Sequence, residues 1–396
     1  MAGEISPKLQ GPFGQKKEII AFTPVNNSPS IIGKYGNNCL VIGDSSSAGL
    51  QNTLLIGTNI AVPYYNSTAS GPIIIGMQGV TLGGTTYPPI GSIGIGNGIT
   101  VTNQNSVCLG GSSQVNGSGN SYSTAIGYSS TANATGGTAI GFGSNASATY
   151  STAIGYTAAS GNYSVALGYI GSGNYSAAGT NTISVGWSQT QNNNQNNCIL
   201  INSGGGQGSG LGYGSVSNSI IMVTGGVNYT NQQNNSIIMG SQINMRLPGQ
   251  ITMQNATGAI QSLGAAQPIK IYVSNQTTNA TQASLYINYS TNTQLITLLT
   301  SSINYFKARI IAKNAGANAA GVYEITGAIQ VGATAASAAI VGSITNTTIG
   351  ATSGASTWAV TAVANTSNPS IDFKVTGAAS TTINWYAEVE LLELIF

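Results

Sequence analysis

The chain contains no histidine, and its 396 residues carry ten Lys and Arg against eight Asp and Glu. General acid–base chemistry draws mainly on His and carboxylates, so this shortage argues against catalysis. From Ser45 to Met245 there is no Asp, Glu, Lys, Arg or His at all. The expectation is a chain that is not an enzyme, with no catalytic residue, no cofactor and no metal. Three cysteines, Cys39, Cys108 and Cys198, stand far apart without a CxxC pair. That spacing suits neither a metal site nor an activated nucleophile, and buried free thiols fit assembly in the cytoplasm.

Other absences narrow the class further. No run of about 18 apolar residues is present, so no transmembrane helix and no membrane insertion are expected. The start, Met1-Ala-Gly-Glu-Ile-Ser-Pro-Lys, has neither the basic end nor the apolar core of a secretory signal. A net charge of +2 spread over the whole chain leaves no basic stripe, which disfavours nucleic acid as a partner. Glycine-rich stretches at Gly94–Gly98 and Gly204–Gly210 lead into no helical pattern or Lys-Ser/Thr pair, so they read as loops and not phosphate cradles.

What the chain has in abundance is glycine, 54 residues of it, and much of it is periodic. The phrases Ser123-Thr-Ala-Ile-Gly127, Gly137-Thr-Ala-Ile-Gly141, Ser151-Thr-Ala-Ile-Gly155 and Ser164-Val-Ala-Leu-Gly168 close on glycines 14, 14 and 13 residues apart. A short fixed period marks a solenoid. Looser copies close at Gly43, Gly57, Gly76, Gly83, Gly96, Gly110, Gly186 and Gly240. About 14 residues per coil leave room for two short strands joined by turns.

Each copy places apolar residues at a spacing of two, as in Leu54/Ile56, Val107/Leu109 and Ile237/Met239, which puts both on one face of a strand. The residue between them is also apolar: Leu55, Cys108, Ala125, Ala139, Ala153, Ala166 or Ile238. A coil interior buries one face only. The other face then calls for a second subunit, and the narrow Ala column is expected to be the one that approaches a symmetry axis. An aromatic after the glycine (Tyr128, Phe142, Tyr156, Tyr169, Trp187) recurs at the coil period and is expected to stack into a ladder. Such a ladder reads first as packing and second as a binding platform.

Asn105-Ser-Val-Cys-Leu-Gly110 and Tyr163-Ser-Val-Ala-Leu-Gly168 resemble the head repeat of trimeric autotransporter adhesins, written N-S-V-A-I-G-x-x-S. The resemblance covers about residues 35–245 and implies a parallel β-roll assembled as a homotrimer. It implies nothing for the remainder, where neither a heptad stalk nor a set of membrane strands is recognisable.

From Gln267 to Phe396 the glycine period vanishes and charges return. About eight segments read as strands between polar turns: Ile269–Val273, Ala283–Tyr289, Phe306–Ala312, Gly321–Ile329, Ala338–Ile344, Trp358–Val363, Ile371–Val375 and Ile383–Val389. Their number and spacing predict an antiparallel, jelly-roll-like β-sandwich. The stretch from Lys307 to Gly327, with a later Trp strand and Ile383-Asn-Trp-Tyr-Ala-Glu-Val389, resembles a C-terminal domain recurrent in bacteriophage fibres. Trp358 and Trp385 read as core before they read as sugar platforms. Glu388 and Glu390 fall two apart on one strand face, the only carboxylate pair in view for glycan cleavage.

The fold class expected is therefore all-β: a trimeric parallel β-roll or β-solenoid of about 14-residue repeats, then an antiparallel jelly-roll-like β-sandwich. The expected organisation is an N-terminal attachment segment (1–34), β-roll repeats (35–245), a neck or linker (246–266) and a C-terminal knob (267–396). The function expected is a structural, non-enzymatic homotrimeric fibre on the head or tail of a phage virion, exposed on the particle after assembly in the host cytoplasm. It would bind other virion proteins through its N-terminal segment, and its neutral exterior suits host surface glycans. The alternatives are a bacterial trimeric adhesin lacking a membrane anchor and, ranked last, a polysaccharide depolymerase spike.

Overall fold

The computed structural model describes residues 31–32, 40–42, 46–48, 52–62, 71–76, 80–83, 89–116, 122–169, 176–177, 179–186, 196–202, 217–223, 227–229, 234–241, 243–255, 266–287, 293–316 and 318–395. Cys39, Trp187, the glycine run 204–210 and the attachment segment 1–34, save Ile31–Ile32, lie outside them. The chain forms two compact units, Met1–Asn197 and Cys198–Phe396. Both are built almost wholly of strands.

The first unit is a parallel solenoid with two short strands per coil. One ladder runs in register through the repeated phrase, with Val107–Leu109 on Thr124–Ile126, then Thr138–Ile140, Thr152–Tyr156 and Val165–Tyr169. The second ladder stacks Thr100–Val101, Gln114–Val115, Thr131–Ala132, Asn145–Ala146 and Ala158–Ala159.

The closing glycine of each phrase is a steric requirement of this stacking. At Gly127, with φ of +130°, a Cβ would lie 2.2 Å from the carbonyl oxygen of Gly141 in the next coil, and at Gly96 it would lie 1.9 Å from that of Gly110. No side chain fits between backbones at that distance, so the period of the sequence is the period of backbone contact. A second recurring demand falls on the residue before each phrase. Asn52, Asn105, Asn181, Asn197, Asn218 and Asn235 all take φ between 49° and 62°, the left-handed region that Asn tolerates better than most residues.

The coil interior is narrow. Ala125, Ala139 and Ala153 of the first ladder and Ala132, Ala146 and Ala159 of the second are all fully buried. Buried serines fill the corners and satisfy turn backbone: Ser123 Oγ donates to Ala134 O at 2.8 Å and Ser113 Oγ to Gly110 O at 3.1 Å. This corrects the expected orientation of the Ala column. It faces the inside of its own coil and not a symmetry axis, with the two ladders of the central coils closing on alanine. In those coils the isoleucines, leucines and valines stand on the outer face, whereas nearer the N-terminus Leu55, Ile74, Ile99 and Val101 are buried inside as well.

The second unit begins with a parallel ladder of the same kind, Ile199–Asn202, Ile220–Val223, Ile237–Ser241 and Ile251–Asn255. Leu200, Ile221 and Ile238 point inward and are buried with Ile243 and Met245. Two antiparallel sheets follow. The first contains β1 (Ala266–Thr277), β4 (Ser302–Asn314), β5 (Ala320–Val331), β6 (Ala339–Ala351) and β9 (Ile383–Ile395), in the order β1-β9-β4-β5-β6. The second joins β8 (Ser370–Thr376) to β7 (Ala359–Asn365) on one edge and to β2 (Gln282–Ser284) and β3 (Ile296–Thr297) on the other.

Pairing β1 with β9 and β2 with β8 nests the ends of the module as a jelly roll does, while β5 and β6 stay in the first sheet as a meander. One apolar core lies between the sheets. Phe306 meets Phe373 edge-on at 5.7 Å, and Trp358 meets Trp385 at 5.8 Å. Each of the eight expected strand segments overlaps a strand, and β3 was not foreseen because only two of its residues pair.

Candidate interaction surface

The outward face of the solenoid is built from the residues that flank the inward one on each strand of the first ladder. In the first unit it carries, rung by rung, Leu54/Ile56, Ile73/Ile75, Ile93/Ile95, Val107/Leu109, then Ile126, Ile140, Ile154 and Val165/Leu167. Ile95 is 41% exposed and Ile154 40%, about what stays open when rungs above and below cover the sides. A continuous aliphatic row of this length on an outer surface is a mark of a contact surface.

Aromatic columns stand at both ends of these strands. Tyr128, Phe142, Tyr156 and Tyr169 stack at centroid distances of 5.6, 5.6 and 5.8 Å, the ladder expected from the sequence. The second column is Tyr122, Tyr150 and Tyr163, with Tyr150 and Tyr163 stacked at 5.3 Å. It occupies the left-handed position otherwise held by Asn, with φ of 61°, 55° and 55°. That substitution was the available signal: tyrosine recurs where the repeat calls for Asn or Gly. All seven rings are exposed.

The remaining candidates resolve individually. Trp385 is buried with Nε1 donating to Thr277 Oγ1 at 2.9 Å, and Trp358 is buried beside it, so both are core. Cys108 and Cys198 are buried thiols outside any disulfide, and burial pushes both up from the ordinary thiol range, which suppresses thiolate chemistry. Gly94 points inward, where a Cβ would meet Ile74, Ile99 and Val101 at 2.9 Å. It makes room for large neighbours and cradles nothing. Among the described residues no group of His, Cys, Asp and Glu could hold a metal ion, and no helix is long and apolar enough to cross a membrane.

Glu388 and Glu390 do share one exposed face of β9, and both are taken up by cations. Arg309 lies 2.7 Å from Glu388 and 3.4 Å from Glu390, and Lys270 lies 3.3 and 3.5 Å from them. Lys307 and Glu324 extend the network to β5 at 2.9 Å. The third glutamate of β9, Glu393, faces the interior and pairs with Arg246, the first charge after the long neutral stretch, at side-chain exposures of 0% and 5%. Burial pushes the Glu393 carboxyl up while Arg246 and Gln267 pull it down. Arg246 also donates to Thr297 O, so this pair ties the last coil to the sheets.

Comparison with known proteins agrees with the repeat. Residues 119–144, 132–158 and 146–169 match the model of the YadA head domain repeat. The chain thus carries YadA-type head repeats on a β-solenoid, and the class this defines is a fibre or adhesin-type protein. No curated protein matches the chain. Among solved structures it is similar to the tailspike protein of Acinetobacter baumannii phage AM24, at 12% identity and a TM-score of 0.23 over 91% of this chain and 67% of that one. It is also similar to the tailspike protein of Acinetobacter phage vB_ApiP_P1, at 9% identity and a TM-score of 0.21 over 90% and 82%. A third is the tailspike protein gp49 of Acinetobacter baumannii bacteriophage Fri1, described as a capsular polysaccharide depolymerase, at 7% identity and a TM-score of 0.21 over 91% and 82%.

The description of the third corrects the expectation that the chain is not an enzyme. Composition counts catalytic groups without placing them, and two carboxylates at one site are enough for glycoside hydrolysis. A shortage spread over a whole chain therefore does not exclude that chemistry.

Proposed function

We propose that this chain is a homotrimeric fibre of a bacteriophage virion that binds at the host surface. The observation that carries the trimer is the outward aliphatic row, which one copy leaves half-exposed from Leu54 to Leu167. Burying such a row against like rows of other copies recovers about 25 cal/mol for each Å² of apolar surface removed from water. A repeat with every rung in register makes the match along the whole length possible. The phage reading rests on the resemblance of residues 307–327 and the following strands to a phage fibre domain. Residues 1–34 fix the fibre to the particle, 35–245 form the head or shaft, 246–266 the neck and 267–396 the knob.

Adhesion falls to the outer surface of the central coils, where seven exposed rings stand in a stretch without charge. Tyrosine combines a flat apolar ring with a hydroxyl, which suits neutral or weakly charged glycans. Sedimentation equilibrium of the full chain tests the assembly: the expected mass is three times the 39.9 kDa of one chain, and a monodisperse monomer overturns the reading. Immunogold labelling of phage particles with an antibody to the chain tests the location, with label on the particle expected and particles bare of label decisive against it.

A further inference from the structure

The second unit has an outward aliphatic column of its own, Ile220, Ile237 and Ile251, and it does not end where the coils of that unit end. Strand Ile251–Asn255 pairs antiparallel with β1, placing Ile251 opposite Lys270, and residues directly opposite on paired strands project from the same face. Ile251 continues the outward column of Ile237 and Ile220. The outer face of the coils in this unit therefore runs without a break onto the outer face of β1, β9, β4 and β5.

That second face is unlike the solvent side of an ordinary antiparallel sheet, which is polar. Alternation along these strands is strict, with every second residue buried in the core. Among the residues left outside, Leu392 is 59% exposed, Ile311 53%, Tyr305 49%, Tyr386 46% and Val322 40%. Register sorts them into two apolar ends, Tyr305 opposite Leu392 and Ile311 opposite Tyr386. Between the ends lies the charged belt: Lys270, Lys307 and Arg309 against Glu324, Glu388 and Glu390.

Resting on the homotrimer reading, we infer that this face is the contact between copies in the C-terminal module, so that the occupant is a second copy of this chain. Three cations and three anions leave the belt neutral, and their signs alternate from strand to strand; Lys313, at the end of β4, is the one further charge on this face among the described residues. A surface of that kind is complementary to another copy of itself and offers nothing to a strongly acidic or basic partner. Strands of 12 and 13 residues, at about 3.3 Å per residue and about 4.8 Å between strands, give a face on the order of 700 Å². That is close to the roughly 800 Å² per partner of a stable interface. The belt sets the rotational and axial register of the copies, because a slipped pairing brings like charges together.

The test compares two valines of equal exposure on opposite sheets. Val322 lies on the proposed face at 40% exposure and Val363 on β7 at 38%. The variants Val322→Cys and Val363→Cys are treated as full-length chains with a maleimide; Cys108 and Cys198 are buried, and the rate of the parent chain, which also carries Cys39, is subtracted as background. In the trimer, V322C is expected to react at least about tenfold more slowly than V363C, since access controls thiol reactivity. The difference is expected to vanish in denaturant. Equal rates in a chain that sediments as a trimer overturn this face and leave the trimer standing, whereas a chain that sediments as a monomer overturns both. Leu392→Lys, at a position open in one chain and so compatible with its fold, gives a second readout. Loss of trimer with unchanged circular dichroism supports the face, and a trimer of undiminished stability counts against it.

Discussion

The coils and the antiparallel module solve the same problem, burial of enough apolar surface, by opposite routes. Within the module Trp385, Phe306 and Phe373 fill one deep core. In the central coils the interior is alanine and serine, while the large side chains stand outside. A folded single chain satisfies the module far better than it satisfies the coils. The difference teaches that the solenoid leaves much of its apolar surface outside a single chain, whereas the sheets form a body with its own core and one unusual face.

The sharpest way to break this contrast is at the buried ion pair. Glu393→Ala leaves Arg246 charged, buried and unpaired, and is expected to cost about 3–5 kcal/mol, against little or no cost for the double variant Arg246→Met/Glu393→Leu. Denaturant melts of the three chains check it; a single variant as stable as the parent would show that the pair does not hold the last coil to the sheets. Next comes the glycine column. Gly141→Ala drives a Cβ to 2.6 Å from the carbonyl oxygen of Gly155 and is expected to cost about 3 kcal/mol. In β6, Gly350→Ala meets nothing within 4 Å and is expected to change stability by less than about 1 kcal/mol, in the stabilising direction. Equal melting shifts for the two would remove the steric account of the repeat. The smallest effect belongs to the half-exposed pair Lys307–Glu324: Glu324→Gln is expected to cost less than about 1 kcal/mol, a loss that shrinks in high salt. A loss independent of salt would mean that the belt is already shielded from water.

Much of this fold could be read from the chain because its two signals are strong. A glycine every 14 residues reported the coil directly, since the backbone contact at Gly127 and Gly141 tolerates no substitute. Alternating segments such as Phe306–Ala312 reported strands, with Phe306, Ala308, Ile310 and Ala312 inside and Lys307 and Arg309 outside. Where both faces of a strand were apolar the same period lost its direction. Ala139 and Ile140 are each plausible inside or outside, and only the distance between the two ladders of a coil decides that alanine goes in. The second tyrosine column stayed hidden for a different reason, because Tyr122, Tyr150 and Tyr163 take a backbone angle that their type ordinarily avoids. The expectation of a chain without enzymatic activity summed residues over the whole length, whereas chemistry depends on the few that meet.

The glycine column has a mechanical consequence. With carbonyl oxygens stacked directly over glycines, the coils have no slack along the axis, so the solenoid behaves as an incompressible ruler graduated in steps of about 4.8 Å. Removing one 14-residue coil, from Gly137 to Tyr150, would shorten it by one graduation and bring Tyr128 onto the ring of Tyr156. Reach can therefore change by whole steps while the outer surface keeps the same period.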